Sequence, residues 1–132
     1  SIKPLLNGRK KAIILGDGGS AKAIKYVLNQ LHIEYKTVSR NTSFNYSHIN
    51  KQITGYYDII INTTPLGSCS RIDEFPKIPY KNLTNKHLLF DLIYNPNESK
   101  FLMYGKANKA QIKNGLEMLK IQAKESWKIW NT

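Results

Sequence analysis

Apolar residues alternate along this chain between two rhythms. "KKAIIL" (10–15) ends in an unbroken apolar run, which predicts a short buried strand. "SAKAIKYVLNQL" (20–31) instead places apolar residues at 23, 24, 27, 28 and 31, the stripe of a helix with one face on a core. "EYKTVS" (34–39) predicts a second strand, 40–50 a polar loop, and 50–56 a weak helix. "YDIIINTT" (57–64) carries three consecutive isoleucines and predicts a strand covered on both faces. Residues 65–80 hold three of the five prolines and predict a long loop. "KHLLFDLIY" (86–94) predicts a strand running into a turn at Asn95-Pro96, followed by a helix over 98–108 and a short strand "AQIK" (110–113). A last helix over 115–130 is predicted from Leu116, Leu119, Ala123, Trp127 and Trp130 on one side. Strand and helix in alternation require parallel strands joined by right-handed crossovers. The expected fold is therefore α/β, a Rossmann-like doubly wound parallel sheet in three layers (α/β/α).

Composition narrows the function classes. The 132 residues are one domain's worth of chain, and 41% hydrophobic residues is an ordinary globular value. No apolar run reaches membrane-spanning length, and "SIKPLLNGRKK" lacks the apolar core of a secretory signal, so a cytoplasmic protein without membrane contact is expected. The single Cys69 excludes an internal disulfide, and His32, His48 and His87 are too scattered for a metal site. The formal charge of +11 raises nucleic acid as a partner. The lysines are spread along the chain, however, and Lys120, Lys124 and Lys128 repeat as a solvated helix face. No nucleic-acid partner is expected, but a basic field draws small phosphorylated ligands.

Between the first predicted strand and helix, Gly16, Gly18 and Ala21 make G-x-G-x-x-A. The first glycine permits a tight turn, the second lets the main chain approach a pyrophosphate, and the small third residue lets the helix pack closely on the sheet. The helix N-terminus then offers free N–H groups and a positive dipole end. A P-loop would need Gly at 21 and Ser or Thr at 23, where this chain has Ala21 and Ala23. The second strand ends in "VSRNTS", with no carboxylate to accept from ribose hydroxyls. Arg40 stands there, flanked by the short donors Ser39, Asn41 and Thr42, and a guanidinium can fork a 2′-phosphate that a carboxylate would repel. NADP is therefore expected in preference to NAD.

"ILGDGGSAKA", "VSRNTS", "DIIINTTPLG", "DLIYNP" and "NGLEMLKIQAKESWKIW", in this order, closely resemble the C-terminal half of shikimate dehydrogenases. That family reduces 3-dehydroshikimate to shikimate with NADPH on the route to chorismate and the aromatic amino acids. The resemblance implies that residues 10–132 are the NADP-binding Rossmann domain and residues 1–9 a remnant of the helix joining two halves. It places Gly16, Asp17, Gly18, Gly19 and Ser20 against the pyrophosphate, and Ser39, Arg40 and Asn41 at the phosphorylated ribose. Thr63, Thr64 and Pro65 would line the nicotinamide side, with Leu92 and Gly115 meeting it through main-chain atoms. Tyr94 and Gln122 would reach the substrate. Phe44 stands where the family often has a second basic residue, which leaves Arg40 as the sole strong charge for the phosphate.

The lysine and aspartate that do the family's acid–base work lie in an N-terminal substrate domain to which nothing here corresponds. No catalytic residue is expected in this chain, Asp58 and Asp91 read as structural, and the chain alone is expected to be inactive. Expected partners are the small-molecule substrate and the substrate domain of the same protein, in a monomer or homodimer. A quinate-accepting relative and a non-catalytic nucleotide-binding regulatory module are the alternatives.

Overall fold

A computed structural model of the protein describes residues 6–115. Strands β1 (Lys11–Leu15), β2 (Glu34–Val38), β3 (Ile59–Asn62), β4 (Leu88–Asp91) and β5 (Gln111–Asn114) form one sheet in the order β2-β1-β3-β4-β5. Every neighbouring pair is parallel. The helices are α1 (Gly19–Gln30), α2 (Lys51–Tyr56) and α3 (Lys100–Ala107). This is the expected α/β, Rossmann-like architecture. Apart from Gly115, the helix predicted over 115–130, with Gln122, Trp127 and Trp130, lies outside the described residues, as do residues 1–5.

Strand periodicity explains the apolar runs. Ala12 and Ile14 of β1 and Ile59 and Ile61 of β3 point to one face, where they pack with Ala21, Ile24 and Leu28 of α1. Ile13, Leu15 and Ile60 point to the other, against Tyr57, Phe101 and Leu102. Successive side chains of a strand alternate faces, so three isoleucines in a row belong to a strand covered on both sides. All three are at most 1% exposed.

Helix α1 stops in a Schellman motif. His32 N–H donates to Asn29 O (3.2 Å) and Ile33 N–H to Leu28 O (2.9 Å), with His32 left-handed at φ 58°. Leu28 and Ile33 then pack in one apolar cluster. The weak helix α2 gains its start from Asn50, whose Oδ1 accepts from Ile53 N–H at 3.0 Å. The long loop 65–80 is anchored by aromatic contacts: Phe75 meets Tyr104 of α3 at 4.9 Å between centroids, and Tyr80 meets Tyr104 at 5.3 Å.

The topology sets where a ligand can enter. From β1 the chain crosses to β2 on one side, then returns past β1 to β3 on the other. The loops leaving the carboxyl ends of β1 and β3 therefore diverge, opening a crevice at the switch point.

Ala21 is fully buried between α1 and the sheet, whereas Ala23 is exposed. Ala21→Leu is expected to lower stability by about 1–3 kcal/mol through overpacking, while Ala23→Leu stays within about 0.5 kcal/mol of wild type. Urea denaturation of the two variants checks this.

Candidate functional site

The register ends all five strands on one row. Val38 pairs with Leu15, Leu15 with Asn62, Asn62 with Asp91, and Asp91 with Asn114. The next residue along each strand is Ser39, Gly16, Thr63, Leu92 or Gly115, five of the residues the sequence singled out. The sheet's ladder continues into this row: Gly16 N–H donates to Val38 O (2.8 Å), Thr63 N–H to Leu15 O (2.9 Å) and Leu92 N–H to Asn62 O (3.2 Å). Main-chain hydrogen bonds thus place the start of the loops after β1, β3 and β4.

The glycine turn occupies the centre. Gly16 adopts φ 113°, and a Cβ on it would lie 2.4 Å from Thr63 Oγ1, which itself donates to Leu15 O at 2.6 Å. Both its conformation and its neighbour demand glycine. Gly18 is the N-cap of α1 and supplies no side-chain cap, and a Cβ on it would meet nothing within 4 Å. The first turn of α1 therefore presents its N–H groups and positive dipole end toward open space.

A cleft of about 460 Å³ opens beside this turn. Gly16, Asp17, Gly18, Ser39, Arg40, Asn41, Thr63, Thr64 and Pro65 all line it. Gly19 and Ser20 begin α1 next to it without lining it. Leu92 and Gly115 meet each other one strand away, where a Cβ on Gly115 would lie 2.4 Å from Leu92 O. Tyr94 is 45% exposed beyond β4, and Gln122 lies outside the described residues.

Two local readings change. Thr42 is not a cleft donor: its Oγ1 accepts from Ser39 N–H (3.0 Å) and lies 2.7 Å from Phe44 O, so it shapes the Arg40 loop from within. Ser39 Oγ likewise accepts from Asn41 N–H (3.2 Å). Nor is Arg40 the sole strong charge, because Arg71, from the loop after β3, lines the same cleft. Tyr46 and Leu66 also line it without having been singled out. Burial pushes the Tyr46 phenol above its ordinary pKa, and the nearby Arg40 guanidinium pulls against that rise. The available signal for Arg71 and Leu66 was their place on the loop leaving a central strand's carboxyl end.

Behind the cleft, one buried carboxylate organises three loops. Asp91, fully buried, accepts at Oδ1 from Ile93 N–H (3.0 Å) and Asn62 Nδ2 (3.2 Å), and at Oδ2 from the Ser99 hydroxyl. Asn62 Oδ1 in turn accepts from Thr64 N–H (3.0 Å) and the Thr64 hydroxyl (2.6 Å), holding the bend into the cleft lining. Gly67, at φ 100°, passes so close to Ser99 that a Cβ would lie 3.0 Å from its Cβ. The structural reading of Asp91 agrees with this network. Burial raises its pKa to about 6, against the opposing pull of the bonds from Ser99, Ile93 and Asn62.

No family model matches the chain. It is similar to the shikimate dehydrogenase (NADP(+)) of Clostridium beijerinckii, 38% identical over 132 aligned residues covering 90% of this chain and 47% of that protein. Among solved structures it is similar to a shikimate dehydrogenase in complex with NADP+, with a TM-score of 0.75 and 29% identity, covering 92% of this chain and 49% of that one. It is also similar to a chorismate mutase/shikimate 5-dehydrogenase fusion protein from Clostridium acetobutylicum, with a TM-score of 0.79 and 31% identity, covering 98% of this chain and 50% of that one. The chain spans about half the length of the curated relatives it matches. Among the described residues, no helix is long and apolar enough to cross a membrane.

Asp91 carries a pH dependence whose sign follows from its raised pKa. The folded carboxyl holds its proton to about pH 6, while the unfolded one releases it near 3.8. Its contribution to stability is full below pH 4 and is lost as pH rises through 6, a change on the order of 2–3 kcal/mol. Asp91→Asn keeps the acceptors for Ile93 and Asn62, and its stability relative to wild type should therefore rise between pH 4 and pH 7. Guanidinium denaturation at the two pH values measures the difference, and an unchanged difference would contradict the buried, ionisable assignment.

Proposed function

We propose that this chain, homologous to one half of the shikimate dehydrogenases, is the NADP-binding domain of such an enzyme. The whole protein would then reduce 3-dehydroshikimate to shikimate with NADPH in the cytoplasm, as a step toward chorismate. The observation that carries this reading is the pairing, in one cleft at the β1/β3 switch point, of an uncapped helix N-terminus with a guanidinium at the end of β2.

The residues suit a phosphorylated dinucleotide. The open space at Gly18 admits a pyrophosphate to the main-chain N–H groups of Gly18, Gly19 and Ser20, where the dipole of α1 favours it. Arg40 offers a planar fork to the ribose 2′-phosphate and a flat face to adenine. Asp17 lines the same cleft but is exposed, so water remains available to solvate its carboxylate beside the pyrophosphate. Thr63, Thr64, Leu92 and Gly115 would border the nicotinamide, in the row of strand ends that the sheet holds rigid. Bound NADPH supplies the hydride. Tyr94 and Gln122 would meet the substrate carboxylate and hydroxyls.

Reduction of a ketone also needs an acid for the developing alkoxide. Among the described residues lining the cleft, Asp17 is the single carboxylate, it belongs to the proposed pyrophosphate cradle, and no lysine joins it. The acid–base pair and most substrate contacts are assigned to an N-terminal substrate domain, a reading supported by the chain's covering 47% of the length of the Clostridium beijerinckii relative. Either a monomer or a homodimer is compatible with this division.

Fluorescence titration tests the cofactor assignment. The protein is expected to bind NADPH more tightly than NADH, and Arg40→Ala should weaken NADPH roughly ten- to hundredfold and NADH, which shares only the adenine contact, much less. Equal affinity of the wild-type protein for both dinucleotides would sink the role given to Arg40.

A further inference from the structure

We propose that Arg71 is a second ligand of the ribose phosphate, a specificity-determining residue whose available charge is set by Glu74. This rests on the reading of the cleft as an NADP site and deepens it. A phosphate monoester carries close to two negative charges at neutral pH. One guanidinium leaves about half of that uncompensated, so a cleft selective for it needs another cation.

Of the cations near the Arg40 loop, Lys36 is committed elsewhere: its Nζ lies over the Phe44 ring, 4.5 Å from the centroid. Phe44, in the position expected for a second basic residue, thus holds a lysine that does not line the cleft. Arg71 does line it, arriving from the opposite wall on the loop after β3. Its main chain is fixed in a short turn, with its N–H donating to Ser68 O (2.8 Å) and its carbonyl accepting from Gly67 N–H (3.1 Å). Gly67 is in turn packed on Ser99, within the Asp91 network.

The side chain is half-exposed and its geometry is informative. Nε and Nη2 both approach Glu74 Oε2, at 2.8 and 2.6 Å. One carboxylate oxygen therefore holds one edge of the fork and leaves the Nη1 edge for an incoming acceptor. An exposed pair of this kind is weak, so a dianion competes with Glu74 on favourable terms. The main-chain N–H groups of the glycine turn already serve the pyrophosphate, which is why Arg71 is assigned to the monoester.

Arg71→Met keeps much of the side chain's apolar bulk and removes the charge, and Glu74→Gln frees the fork. Both sites are exposed, and thermal melting verifies that each variant folds. By fluorescence titration at moderate ionic strength, Arg71→Met is expected to bind NADPH about five- to tenfold more weakly with NADH unchanged, and Glu74→Gln to bind NADPH about two- to threefold more tightly. Equal losses for both dinucleotides would overturn the proposal by moving Arg71 to the pyrophosphate or adenine. No change in NADPH affinity in either variant would overturn it outright. A wild-type protein that binds neither dinucleotide overturns the cofactor reading as well, whereas wild-type NADPH preference untouched by Arg71→Met removes Arg71 alone.

Discussion

The parallel register that brings five strands to a common end is the constraint on which the rest of this structure depends. Val38, Leu15, Asn62, Asp91 and Asn114 stand in one row, and the chain leaves the sheet from each of them in the same direction. A parallel sheet covered on both faces tolerates little slippage, because a one-residue shift would turn Ile59, Ile60 and Ile61 to the wrong clusters. The apolar core therefore fixes the site's geometry without touching a ligand. Asp91 and Asn62, adjacent at that edge, extend the order outward by tying down the bends at Thr64, Ile93 and Ser99.

Electrostatics adds selectivity to this frame. The glycine turn and the start of α1 favour an anion through main-chain groups that no side chain caps. Arg40 and Arg71 approach the same cleft from loops on either side of β1. The overall charge of +11 supplies a diffuse attraction of the same sign. Buried hydrogen bonds keep Asp91 in place at a position where its ionisation is disfavoured by burial, so the network serves order at some expense of stability near neutral pH.

Much of the fold was legible because its signals are local. Isoleucine runs identify doubly covered strands, and the stripe of α1 appears within twelve residues. Boundaries were less legible: the strand expected over 57–64 is Ile59–Asn62, since Thr63 and Thr64 bond back onto Leu15 and Asn62 and turn the chain. The same holds at β4, where Asp91 draws Ile93 N–H out of any further ladder. In the site, the glycine turn and Arg40 stood out by type and spacing. Arg71 did not, because its place in the same cleft as Arg40 arises from a long aperiodic loop pinned by Phe75, Tyr80 and Tyr104, contacts that span about twenty-five to thirty residues of sequence. Thr42 was misread for a related reason, since a hydroxyl beside a binding residue looks the same whether it faces a ligand or staples its own turn.

In the proposed complex a phosphorylated dinucleotide seats on the carboxyl edge of the sheet between β1 and β3. Amide nuclear magnetic resonance shifts recorded during titration with NADP+ test it most directly. Saturable shifts are expected at Gly16, Gly18, Gly19, Ser20, Arg40 and Thr63, with Lys11, Glu34 and Ile59 at the opposite edge unmoved. Shifts confined to that opposite edge, or none at the glycine turn at saturating nucleotide, would contradict it.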